Sequence, residues 1–355
     1  MINNNKTSIR WTLTAALLAA AVMTAGCASQ SGANTSADDS AQESTVKAAG
    51  EDQAQEGGAN APADDSAQEA GEASQEGEAK APAEDSAQEA GEAAQEGSTE
   101  DKVYLDYIDA WEEWHTMEVD QTVPPNIYDP KKFVADERNP QWLTYDDPAY
   151  TVLQGIDIYE GTGEIDWKAV ADAGYSFAFI RVGYRGYGQA GKLCEDYRAV
   201  ENLRAAREAG FKIGAYFFSQ ALNEEEARQE ALTAIKVIEE SGVELDLPLM
   251  YDPEVIKDDD GRANDITREQ VALNTEAFRE TVESATDFTV DIYSNLPWED
   301  KLFDAKTLTN FDIWYADYEK IPQSPYHFSW LQYSNKGEVP GIQGDVDLDL
   351  WIIPN

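Results

Sequence analysis

Trp167-Lys168-Ala169-Val170-Ala171-Asp172-Ala173-Gly174-Tyr175-Ser176-Phe177-Ala178-Phe179-Ile180-Arg181-Val182 contains one complete passage from helix to strand. Trp167–Ala173 carries helical patterning. Gly174 stands where a helix C′ glycine belongs, and Phe177–Val182 is a short apolar run rich in aromatic and β-branched residues. The unit recurs. A helix over Asp196–Ala209, stopped by Gly210, leads to a strand over Lys212–Phe218. Glu224–Ser241, with Ala227, Ala231, Ala234, Ile235 and Ile238 on one stripe, precedes Leu247–Tyr251, and Thr267–Ala285 precedes Thr289–Tyr293. Val152–Ile158 opens the series and Ile313–Ala316 follows it. Strands alternating with helices predict βα units around a parallel sheet. So many units in residues 150–355 favour a closed α/β barrel over an open sheet. Helical patterning fades after Thr286, so the later strands should follow one another by short connections and leave the barrel irregular.

Outward from this domain the chain changes character. In 101–149, Val103, Tyr104, Tyr107, Ile108, Trp111 and Trp114 fall near helical spacing and predict one amphipathic helix. Pro124, Pro125, Pro130, Pro140 and Pro148 follow among aromatics, which reads as irregular chain lying on the barrel, with a small partner-binding element as the alternative. Residues 28–100 carry 18 Asp/Glu against Lys47 and Lys80, with no aromatic. Such a segment cannot bury enough apolar surface to offset chain entropy and is expected to be disordered. Ala61–Glu72 recurs almost unchanged as Ala81–Glu92, but alanine is the only apolar side chain the repeat could stack, so the reading is a soluble tether. As a coil it would span roughly 50 Å root-mean-square, with a contour limit of about 240 Å. Residues 1–27 place Lys6 and Arg10 before an apolar run, Trp11–Met23, and end Thr24-Ala25-Gly26-Cys27, a secretory signal peptide. Small residues followed at once by Cys27 resemble a bacterial lipobox. That resemblance implies cleavage before Cys27 and a lipid on its thiol.

The net charge is −43. A polyanionic nucleic acid would be repelled, which excludes binding driven by phosphate contacts. Cys27 and Cys194 lie in different parts of the chain, so no disulfide framework is expected. His115 and His327 are isolated, and their spacing supports no two-His metal site. Lys257-Asp258-Asp259-Asp260-Gly261 has the wrong register for a calcium loop and reads as a solvated turn.

In a parallel barrel the chemistry sits at the carboxyl ends of the strands. Asp157 closes the first strand. Asp252 and Glu254 close the fourth in Tyr251-Asp252-Pro253-Glu254, and Asp347 lies in Asp345-Val346-Asp347-Leu348 near the chain end. On a strand, i and i+2 share a face about 6.6 Å apart, so Asp252 and Glu254 should face one cleft. Pro253 donates no ladder bond, which suits a strand end. Two carboxyls at that separation can cut a glycosidic bond. Gathering several carboxylates raises the pKa of at least one, which makes a proton donor near neutral pH.

From Gly155 onward the chain resembles glycoside hydrolase family 25, the Chalaropsis-type lysozymes. The resemblance rests on Gly155-Ile156-Asp157, Gly163-Glu164-Ile165-Asp166-Trp167, Ala173 to Gly188, Asp196, Asn202, Gly214 to Gln220, the Asp252/Glu254 pair, and the close Gln332-Tyr333-Ser334, Gly341-Ile342, Gly344 and Val346-Asp347-Leu348. It implies an irregular, flattened TIM-like (β/α) barrel of eight strands with fewer helices. It also implies hydrolysis of the β-1,4 bond from N-acetylmuramic acid to N-acetylglucosamine in peptidoglycan, with no cofactor. Glu254 would be the acid/base. Asp252 would orient the substrate's own N-acetyl group or act directly as the nucleophile, and Asp157 and Asp347 would flank the pair. Tyr216, Tyr293, Trp314, Arg181 and Gln332 match positions near the substrate. With the leader, the expectation is an extracytoplasmic wall lysozyme, lipid-anchored through Cys27, whose long tether favours a cell with a single membrane. The run Ile158-Tyr159-Glu160-Gly161-Thr162-Gly163 lacks the His common in relatives, Pro253 replaces a usual large residue, and Leu331 stands where relatives carry Trp. These departures keep a second reading open, a catalytically silent peptidoglycan-binding barrel.

Overall fold

The computed structural model describes residues 102–109, 113–257 and 259–355. The leader, Cys27 and the acidic repeats lie outside the described residues. Two antiparallel hairpins come first, β1 (Val103–Ile108) with β2 (Trp114–Val119) and β3 (Phe133–Asp136) with β4 (Asn139–Tyr145). There follow β5 (Tyr150–Ile158), α1 (Trp167–Asp172), β6 (Phe177–Arg185), a short β7 (Leu193–Glu195), α2 (Ala199–Glu208), β8 (Lys212–Ser219), α3 (Glu224–Ser241), β9 (Leu249–Pro253) and α4 (Arg268–Ala285). The chain finishes with β10 (Val290–Asn295), α5 (Leu296–Lys301), α6 (Ala305–Asn310), β11 (Ile313–Ala316), β12 (Trp330–Gly337) and β13 (Val346–Pro354).

Eight of these strands close a barrel in the order β5-β6-β8-β9-β10-β11-β12-β13, and β13 pairs back onto β5. β7 lies outside the ring, antiparallel to the far end of β6. Neighbours from β5 to β12 run parallel, while β13 is antiparallel to both of its neighbours. The last helices before β11, α5 and α6, are one or two turns each, and no helix joins β11 to β12 or β12 to β13. This is the irregular barrel that the fading helical pattern predicts, with the eight strands that the family resemblance implies.

Strand alternation sorts the side chains into two cores. Phe177, Phe179, Tyr216, Met250, Tyr293, Trp314 and Trp330 fill the inside of the ring. Their sequence neighbours, among them Ala178, Ile180, Ala215, Phe217, Leu249, Tyr251, Ile292, Ile313, Tyr315 and Leu331, face the helices. So many rings fit inside because two strands carry glycine there. A Cβ on Gly155 would stand 2.4 Å from the Phe177 ring, and one on Gly214 2.4 Å from the Phe179 ring. Helix ends follow local chemistry. Asn223 caps α3 through Glu226 N, Thr267 caps α4 through Gln270 N, and Gly174 and Gly210 take the positive φ that a C′ residue needs.

The expected helix over 103–114 is instead the β1–β2 hairpin. Leu105 and Tyr107 share a face with His115 and Met117, and Tyr107 and Met117 are buried. Val103, Leu105 and Tyr107 alternate at period 2 while Tyr104, Tyr107 and Ile108 keep helical spacing, and cross-strand packing favours the sheet. The Pro-rich stretch is not wholly irregular either, since it contains β3 and β4. The described residues between 102 and 149 pack on the barrel through Tyr128 Oη to the Phe328 carbonyl (2.8 Å), Trp142 Nε1 to Tyr175 Oη (2.9 Å), and the reciprocal pair between the Ile108 backbone and the Gln323 amide.

Candidate active site

The antiparallel course of β13 decides which carboxylates meet. Its first residues, not its last, sit at the mouth where β5 ends, so Asp347 lies directly opposite Asp157 in the ladder. Asp347 thus reaches the mouth from the start of a strand, whereas the sequence pattern predicts a strand end. β9 stops at Pro253, which brings Asp252 to the last inward position of the strand and Glu254 to the residue just beyond. The Gln220 side chain donates to the Glu254 carbonyl at 2.6 Å and fixes the backbone there.

Asp157, Asp252, Glu254 and Asp347 come together closely enough to perturb one another. Burial, then the charge of Asp349 and more weakly that of Glu254, raises Asp157 well above the usual carboxylate range. Asp252 is raised by burial and by the charges of Glu254 and Asp157, and the Arg181 guanidinium opposes the rise. Asp347 is raised by burial, Asp157 and Glu254. Glu254 is partly open to solvent, and burial of its carboxyl pushes its pKa up to about 7. Asp252 Oδ1 is buried with no hydrogen-bond partner among the described residues. The arrangement therefore offers a protonated carboxyl at neutral pH beside a carboxyl with an unfilled acceptor, which suits acid-assisted cleavage of an acetal.

Gln332 organises the far wall. Its carbonyl oxygen accepts from Tyr293 Oη (3.1 Å) and Tyr318 Oη (3.0 Å), and its amide donates to Asp157 Oδ2 (2.8 Å). Arg181 lies across the barrel. It pairs with Asp196 at 3.0 Å and Glu160 at 3.5 Å, between the rings of Tyr159 and Tyr184, each 4.7 Å from the guanidinium.

The family model for Glycosyl hydrolases family 25 matches residues 156–342, more than half of the chain. The chain belongs to that family. Over 199 residues, 56% of this chain and 55% of the relative, it is 29% identical to a protein named Autolytic lysozyme from Clostridium acetobutylicum. Over 201 residues, 55% of this chain and 66% of the relative, it is 26% identical to Lysozyme M1 of Streptomyces globisporus. The chain spans about half the length of the first of these relatives and about two-thirds of the second. Among solved structures, the modular autolysin LytC from Streptococcus pneumoniae, in complex with a synthetic peptidoglycan ligand, superposes with a TM-score of 0.52. It is 24% identical and covers 71% of this chain and 58% of its own. That likeness concerns the fold.

Within this family 25 barrel the sequence-derived positions differ in what they contact. The charges of Asp157 and Asp252 reach Tyr216 and Tyr293, Arg181 acts on Asp252, and Gln332 is bonded to Asp157. Trp314 does not line the cleft. It is 1% exposed, stacks on Phe179 at 4.6 Å and donates its indole N–H to Asp349 at 2.8 Å. Its place beneath the mouth follows from β11, whose next inward residue, Ala316, sits above it. Two residues that sequence reasoning missed belong to the site. Asp349 is fully buried next to Asp157, and the two-residue spacing of Asp347, Asp349 and Trp351 is the signal for it. Tyr318, 41% exposed, sends its hydroxyl to Gln332 from a loop that no periodicity could place. His115 is not isolated. Its Nε2 meets Asp109 at 2.9 Å, and Asp109, Glu113 and His115 hold ligand-type atoms within 4.8 Å of one another on the first hairpin, apart from the carboxylate group.

Proposed function

We propose that this protein is a lysozyme that hydrolyses the β-1,4 bond between N-acetylmuramic acid and N-acetylglucosamine in peptidoglycan. The observation that carries the reading is Glu254, raised to about 7 in a cleft shared with Asp252, Asp157 and Asp347. Protonated Glu254 donates to the glycosidic oxygen as the C–O bond breaks. Asp252, through its unfilled Oδ1, takes the N–H of the muramic 2-acetamido group and turns its carbonyl oxygen onto the anomeric carbon. Glu254, now a carboxylate, removes a proton from water, which opens the cyclic intermediate and returns the acid to its starting form. Every proton Glu254 gives in the first half comes back in the second. Asp157 and Asp347 flank the pair, and the charge of Asp157 helps to raise Asp252. Tyr318 offers an exposed ring face for a sugar, and Tyr216, Tyr293, Arg181 and Gln332 line the subsite. A lipid on Cys27 and the acidic tether would let the barrel work in the wall at a distance from its membrane.

Digestion of purified peptidoglycan, followed by borohydride reduction and mass spectrometry of the muropeptides, tests this. New reducing ends on N-acetylmuramic acid support it. Ends on N-acetylglucosamine refute the bond assignment. A protein that sediments with the wall and releases nothing is a binding module.

A further inference from the structure

Asp349 lies one inward position deeper on β13 than Asp347, opposite Gly155 of β5. Gly155 puts no side chain of its own there, the Phe177 ring packs against it, and Asp157, two residues on, is the diagonal neighbour of Asp349. The Asp349 carboxyl is fully buried. Its Oδ1 accepts the Trp314 indole N–H at 2.8 Å, and its Oδ2 receives no donor among the described residues. Asp157 stands diagonally across from it on the neighbouring strand, the two carboxyls perturb one another, and Asp157 already accepts the Gln332 amide on Oδ2. Two bare carboxylates are acceptors only and cannot bond to each other. With a proton between them, the pair satisfies the open oxygen and makes a short, charge-assisted bond.

We propose that Asp349 is a positioning residue, sharing one proton with Asp157 so that the pair behaves as a single rigid anion beneath the cleft. Trp314 fixes one end of this unit and Gln332, aligned by Tyr293 and Tyr318, fixes the other. Around it face Asp347 on β13, Asp252 and Glu254 at the end of β9, Tyr216 on β8 and Arg181 on β6. Arg181 is the one cation of this set, so a second full charge on the pair is opposed from nearly every side. Asp349, pushed up to about 8 chiefly by burial, agrees with the proton staying at neutral pH. For catalysis, which rests on the lysozyme reading, the pair keeps Asp157 in one rotamer and limits the negative field to one charge.

The test counts protons first. In the full chain, the infrared carboxylic-acid carbonyl band at neutral pH is compared among wild type, Asp349→Asn, Asp157→Asn and the double variant. Sharing predicts that each single substitution removes one protonated carboxyl, because the new amide donates in its place, and that the double removes no more than either single. A double variant that loses twice the single-variant amplitude means two independently protonated acids and overturns the proposal. Kinetics follow. The amide introduced by Asp349→Asn can still accept from Trp314 and donate to Asp157, so this variant should keep at least roughly tenfold more kcat than Asp349→Ala, with KM little different between them. Equal kcat for the two variants overturns the positioning role, and if Asp349→Ala does not fold, the proton count decides alone. A wild-type protein that releases no muropeptides sinks the lysozyme reading but leaves the proton count standing as the test of the pair.

Discussion

Glu299→Gln should stabilise this protein, and more so as the pH rises. Glu299 begins the second half of α5, is 3% exposed, and accepts from Ser324 Oγ at 3.0 and 2.8 Å on its two oxygens. Burial, with a smaller push from Asp317, raises its pKa from 4.5 to about 8. The sign follows from linkage. A carboxyl raised in the native state binds more protons folded than unfolded, so the stability it allows is complete below the unfolded pKa and is lost as the pH climbs through about 8. At ~1.4 kcal/mol per pH unit, the loss is on the order of 3 kcal/mol at neutral pH and about 5 kcal/mol above the folded pKa. Glutamine has the shape of the neutral acid and does not titrate. Its advantage should therefore be near zero at about pH 4 and grow to those values, or roughly 6–12 °C in Tm at neutral pH at 2–4 °C per kcal/mol. Calorimetric unfolding of both proteins from about pH 4 to about pH 9 measures this. A Tm difference that stays flat across that range, or a variant that is less stable throughout, refutes the argument that burial keeps Glu299 protonated. The same desolvation raises Glu254, so the experiment checks the physics of the proton donor at a site remote from catalysis.

The rate should carry the mark of Glu254 directly. With a donor pKa of about 7, kcat/KM for peptidoglycan should fall close to tenfold per unit above neutral pH, and a rate flat to about pH 9 would remove Glu254 from the acid role. Gly155→Ala forces a methyl into the Phe177 ring inside a filled barrel. Denaturant unfolding should show a loss of about 1–3 kcal/mol, and no loss would mean that the ring has room to move. Arg185→Met strips a buried partner from Glu230, whose carboxyl it meets at 2.7 Å. It should cost about 3–5 kcal/mol, and adding Glu230→Gln should recover most of that, because the penalty is the orphaned buried charge. A double variant as unstable as the single contradicts this.

The barrel could be read from the chain because its units signal themselves twice. Helical stripes such as Ala227-Ala231-Ala234-Ile238 end in caps and glycines, and the strands between them are short apolar runs whose two faces are both buried. Glu224–Ser241 matches the observed α3 residue for residue. What could not be read is what pairing decides. The direction of β13 depends on its two neighbours, not on Val346–Pro354 itself, and that direction sets Asp347 against Asp157 and hides Asp349 below. The first hairpin is ambiguous in sequence because Val103, Leu105 and Tyr107 alternate while Tyr104, Tyr107 and Ile108 fall at helical spacing. Trp314 has the residue type and the strand of a sugar platform, but its depth in the barrel depends on strand stagger. Tyr318 sits in the connection from β11 to β12, where only tertiary packing fixes a side chain.

The role of Glu254 is the claim on which the rest stands, and Glu254→Gln assayed on purified peptidoglycan tests it most directly. The amide keeps the shape and the Gln220 contact to the backbone but cannot give a proton. Release of muramic reducing ends should drop by roughly a hundredfold or more while sedimentation with the wall is retained. A variant that still releases those ends at close to the wild-type rate would contradict the account.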